Sequence, residues 1–64
     1  MVSINGEQKD IAGRNLKQYL EEEGYDLRRV VVELNLDIIA KEDLDSVVIK
    51  DEDAIEVLRF VGGG

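Results

Sequence analysis

Five residue types are missing from this 64-residue chain: cysteine, histidine, proline, threonine and tryptophan. Without cysteine there can be no disulfide, no zinc–thiolate centre and no thiol nucleophile. Without histidine the usual general base and the commonest metal ligand are gone. Ser3 and Ser46 offer hydroxyls besides the two tyrosines. No recognisable His- or Lys-based triad frames either serine. Long apolar runs are absent as well. Nothing approaches the roughly 20 residues of a membrane span, and the first residues lack the apolar stretch of a signal peptide. The expectation is a cytoplasmic protein that does not engage membranes.

Positive charge is scarce. Fifteen Asp and Glu face eight Lys and Arg, a formal net charge of -7 and a pI near 4.3. Nucleic-acid binders show a basic face and anionic membranes select for one, so both classes are disfavoured. An acidic surface favours fast association with basic partner proteins, besides aiding solubility. A chain this short makes one domain and buries only about 60% of the surface its unfolded form exposes. That leaves little room for an enclosed active site, and the chain does not read as an enzyme.

What is present reads as a mixed α+β domain. In MVSINGEQKDI, Val2 and Ile4 alternate with Ser3, and Asn5-Gly6 supplies the positive-φ pair of a type I′ hairpin. Ile11 should anchor the polar return strand inward. In NLKQYLEEEG, Asn15 is an N-cap, with Gln18 placed for a capping box. Leu16, Tyr19 and Leu20 form one apolar face, and Gly24 ends the helix. Glu21, Glu22 and Glu23 lie where the macrodipole disfavours negative charge, a small cost on a solvated face. RRVVVELN is the strongest β segment, too apolar on both faces for a lone edge strand. Asn35 turns the chain into the short extended pair Ile38-Ile39. KEDLDSVVI fits one helical turn around Leu44, then a short apolar stretch from Val47 to Ile49. KDED is a polar turn, and AIEVLRFV closes the fold. DLDS and DEDA lack the glycine and late glutamate of a calcium loop, so no metal site is assigned.

The order is hairpin, helix, strand, short strand, irregular segment, strand. A β-grasp roll satisfies it with short connections, one helix covering one face of a mixed sheet. On the last strand Ile55 and Val57 should face that helix. Leu58 and Phe60 then fall on the uncovered face, next to the tail. Phe60 is the only phenylalanine. A large aromatic there suits a partner-docking patch. Residues 1–61 are read as the domain and 62–64 as a flexible tail.

Half of the six glycines stand last, as Gly62, Gly63 and Gly64. A triplet at a free end adds nothing to a fold. It does present a carboxylate on a slim, unhindered stalk. Three residues span at most about 10 Å, enough to reach into another protein's pocket. A carboxylate is a poor electrophile and needs activation, for example by adenylation. The domain then resembles a handle on a substrate, with the chemistry done by a separate enzyme.

The terminal GGG after an apolar strand and an acidic turn resembles the ThiS sulfur carriers of the ubiquitin-like β-grasp group. INGE (Ile4 to Glu7) is similar to that family's first hairpin, VVVELN (Val30 to Asn35) to its central strand, and DEDAIEVLRFVGGG (Asp51 to Gly64) to its terminal block. The resemblance implies an E1-like, ThiF-like enzyme that adenylates Gly64 with ATP and magnesium. A persulfide donor then supplies the sulfur of a thiocarboxylate, and a ThiG-like thiazole synthase accepts it. The carrier itself binds no cofactor. The chain departs from the family at Asn35-Leu36, where Asn-Gly is common, at Ala40-Lys41, where Pro-Arg is frequent, and at Asp51-Glu52-Asp53, where Asp-Gly-Asp is usual. Rival readings are a MoaD-like carrier for molybdopterin, a ubiquitin-like modifier, and a plain β-grasp binding module whose glycines are a residual linker.

Overall fold

The computed structural model describes residues 1–60. Strands β1 (Val2–Ile4) and β2 (Glu7–Lys9) form the first hairpin, antiparallel with Val2 opposite Lys9. Asn5 (φ 49°) and Gly6 (φ 84°) both take positive φ, the type I′ geometry expected of Asn-Gly. Ile11 is buried as expected, but it lies beyond β2 rather than on it.

Helix α1 (Leu16–Glu22) is set at both ends by local chemistry. The Asn15 side chain accepts from the Gln18 amide at 2.9 Å. The reciprocal Gln18 bond of a capping box is not made; Asn15 Nδ2 instead donates to the Asp45 carbonyl at 2.7 Å. Gly24, at φ 87°, ends the helix in a Schellman motif. Its amide donates to Glu21 and the Tyr25 amide to Leu20, each at 3.1 Å. Leu16, Tyr19 and Leu20 are buried, as the 3,4 spacing requires.

A 3-10 turn over Leu27–Arg29 leads into β3 (Val30–Leu34), which pairs antiparallel with β4 (Asp37–Ile39). The last strand, β5 (Ala54–Arg59), lies between β1 and β3. The five strands run β2-β1-β5-β3-β4, and the one parallel pair is β1 with β5. β3 is interior, with Val30 and Val32 buried in the core and Val31 half-buried on the other face. With one helix on one face of a mixed sheet, this is the β-grasp arrangement anticipated from the element order.

The segment over 41–49 resolves into a 3-10 helix (Lys41–Ser46) and an extended stretch bridged to Asn15 through Val48. Leu44 and Ile49, each 1% exposed, plug the core beside α1. The segment therefore lies on the helix side of the sheet. Two further turns lack glycine and still take positive φ, at Asn35-Leu36 (52° and 74°) and Glu52 (71°). Asn35 ties them together. Its Nδ2 donates to Asp53 Oδ1 and its Oδ1 accepts from the Ala54 amide, both at 2.9 Å. Among the described residues no helix is long and apolar enough to cross a membrane.

Candidate functional site

Strand β5 carries the chain from the core to its last residues, so its two faces decide what surrounds the tail. Ile55 and Val57 are 1% and 7% exposed and belong to the core. Leu58 and Phe60, at 48% and 63%, stand on the opposite face, which no helix covers. Strand alternation makes this division. The antiparallel register sets Val31 beside Leu58, and Glu33 beside both Glu56 and Ile38. Ile38 is 70% exposed. The structure thus brings Leu58 and Val31 together on this face near Phe60, with the next row across the sheet formed by Glu56, Glu33 and the exposed Ile38.

Phe60 is held although β5 ends before it. Its amide donates to the Arg29 carbonyl at 3.0 Å, continuing the β3 register by one residue. On the other edge of β5, the Asn5 side chain takes over where β1 stops. Asn5 Oδ1 accepts from the Val57 amide at 2.8 Å, and the Asn5 amide donates to the Ile55 carbonyl at 2.9 Å. The last part of β5 is therefore held on both edges as far as Val57, and Phe60 on the β3 side. Val61, Gly62, Gly63 and Gly64, the last residue of the expected domain and its whole tail, lie outside the described residues.

Sequence reasoning missed the surroundings of this end of β5. Arg59 lies over the Tyr25 ring, its guanidinium carbon 4.6 Å from the centroid. Asp26 caps the 3-10 turn by accepting from the Arg28 amide at 3.0 Å, and the Arg28 guanidinium reaches both its oxygens at 3.1 and 3.2 Å. These bonds hold the Asp26 carboxyl below the usual carboxylate range and raise the Arg28 guanidinium. Adjacent arginines in RRVVV were a visible signal. Their meeting with Arg59 depends on the β3–β5 register, which a sequence does not display. Among the described residues no cluster of carboxylates is arranged to hold a metal ion.

A family model described as the ThiS family matches residues 2–64. The sulfur carrier protein ThiS of Thermus thermophilus is 36% identical over 64 residues, covering the whole of both chains. A thiazole synthase of Paramagnetospirillum magneticum is 40% identical over 62 residues, which are 95% of this chain but 19% of that one. The chain thus spans about a fifth of that relative and all of the carrier. The crystal structure of the thiamine biosynthesis protein ThiS of Geobacter metallireducens superposes with a TM-score of 0.77 at 34% identity, covering 98% of this chain and 97% of the other.

Proposed function

The chain belongs to the ThiS family, the sulfur carriers of thiamine biosynthesis, and from that premise we propose that Gly64 is the residue on which it carries sulfur. The observation that supports this most is the full-length match, which runs through the last glycine. In this reading a ThiF-like enzyme binds ATP and magnesium. A carboxylate oxygen of Gly64 attacks the α-phosphorus and pyrophosphate leaves. The terminal sulfur of a persulfide donor then attacks the acyl carbon and AMP leaves. Reduction of the remaining S–S bond by a thiol frees the thiocarboxylate. A ThiG-like thiazole synthase accepts that sulfur.

The chain's own residues supply recognition and access, not catalysis. Gly62 and Gly63 give the tail a profile no side chain widens. Leu58 and Phe60 form the docking patch on the uncovered face, with the exposure and aromatic character of an interface hot spot. A region similar to this chain occurs within thiazole synthase chains of Paramagnetospirillum magneticum and Magnetococcus marinus. Carrier-like and synthase regions joined in one polypeptide support a physical pairing of this protein with a thiazole synthase.

The test is the intact mass after incubation with an activating enzyme, ATP and a sulfur donor. The expected result is the gain for one oxygen exchanged for sulfur, localised to Gly64. One residue added after Gly64 should abolish the gain without altering the circular dichroism. Sulfur transfer that survives the extension rules out the tail as the site.

A further inference from the structure

The chain is acidic overall, but its cations are unevenly placed. Four of its eight cations gather where the tail leaves it: Arg28, Arg29, Lys41 and Arg59. Arg59 pairs with Val30 across the sheet and Phe60 hydrogen-bonds Arg29, so Arg29 and Arg59 meet at the end of β5. Both line a shallow groove with Gly24, Asp26, Val30 and Phe60. Lys41 Nζ donates to the Arg28 carbonyl at 3.0 Å. One carboxylate, Asp26, serves this group. It binds Arg28 and lies 3.6 Å from Arg29 Nε. Arg59 and Lys41 have no ion pair among the described residues. The rest of the chain then holds four cations against fourteen carboxylates, so the charge is segregated rather than merely acidic.

Burial does not account for the arginines that lead into β3. The Arg28 and Arg29 side chains are 88% and 71% exposed. We propose that Arg29 and Arg59, with Lys41 behind them, form a basic collar that pairs with carboxylates rimming the mouth through which the activating enzyme admits the tail. The proposal rests on the carrier reading and adds the charge of the partner's surface. Reach decides between a protein rim and the nucleotide. Four residues separate Phe60 from the Gly64 carboxyl, at most about 14 Å of extended chain. A tail stretched fully into a channel leaves the arginines nearer its entrance than its far end. The strongly acidic remainder of the chain also repels a free polyanion. Opposite charges at a rim steer encounter and fix orientation, and their effect falls with salt.

The test compares wild type with Arg29→Glu/Arg59→Glu and Arg29→Lys/Arg59→Lys in activation by a ThiF-like enzyme. Arg28 and Asp26 stay untouched, so the cap of the 3-10 turn is preserved. Charge reversal is expected to raise the KM for the carrier about tenfold at low salt while kcat changes less than about twofold. The gap should close at about 0.5 M salt, and the lysine pair should stay near wild type. An unchanged or lowered KM overturns the proposal, as does a rise that salt does not shrink. Saturable binding of inorganic triphosphate to the free carrier, lost on reversal, overturns it in favour of a phosphate subsite. A wild type that no activating enzyme modifies sinks the carrier reading first, and the collar with it.

Discussion

The two faces of β5 carry similar residues to different ends. Ile55 and Val57 are closed off beneath the helix, while Leu58 and Phe60, a few residues on, are about half exposed or more. Burial of a large aliphatic side chain is worth about 1.5–3 kcal/mol. The outer pair forgoes about half of that, in a domain of 64 residues that has little to spare. Strand alternation sets which residues face out, but it does not require those residues to be apolar. One face stabilises the domain, and the other presents apolar surface to solvent. The comparison predicts that stability and partner binding can be damaged separately, one face at a time.

The largest effect should follow from the inner face. Ile55→Ala removes a side chain that is 1% exposed. It should cost about 2–5 kcal/mol of unfolding free energy, enough to unfold much of so small a domain. Ile55→Val should cost about 0.5–1.5 kcal/mol and leave a folded protein. Denaturant unfolding measures both. With the valine variant, sulfur loading per folded molecule should be unchanged. Next in size is the outer face. Phe60→Ala should weaken partner binding by about 1–3 kcal/mol by calorimetry, while the unfolding midpoint hardly moves. A variant that loses stability instead would make Phe60 part of the core and collapse the distinction.

Most of this fold was legible because it is written locally. Asn5-Gly6 fixes a turn, Asn15 and Gly24 bound a helix, and alternation on β5 divides core from surface. Each depends on a few neighbouring residues. The segment over 41–49 was less legible because a 3-10 helix of six residues has no period to read. Its place is set by Leu44 and Ile49 filling space beside α1. The site was half legible for the same reason. The exposed pair Leu58 and Phe60 follows from alternation on one strand. The approach of Arg29 to Arg59 does not, since it needs β3 and β5 paired across the sheet. Side-chain substitutes for backbone pairing were equally hidden: Asn5 capping the β5 edge and Asn35 bracing Asp53 join residues far apart in sequence.

The smallest expected effect comes from the two hairpin turns, which repeat the contrast in the backbone. Both use positive φ at two successive residues, but the first places Gly6 second and the other Leu36. A leucine at φ 74° brings its Cβ close to the following carbonyl, at a cost of roughly 1–2 kcal/mol. Its side chain is 90% exposed, so it recovers almost nothing by burial. Leu36→Gly relieves the strain but gives the unfolded chain more freedom, which takes back about 0.4–1 kcal/mol. The net should be a gain of about 0.5–1 kcal/mol, or a few degrees in Tm for a domain of this size. Gly6→Leu, at φ 84° with open space where a Cβ would go, should destabilise through backbone strain alone. The pair of measurements isolates φ from packing, because neither side chain meets the core. If Leu36→Gly lowers Tm, the leucine is stabilised by its neighbours, and the Asn35–Asp53–Ala54 network is the place to look for how.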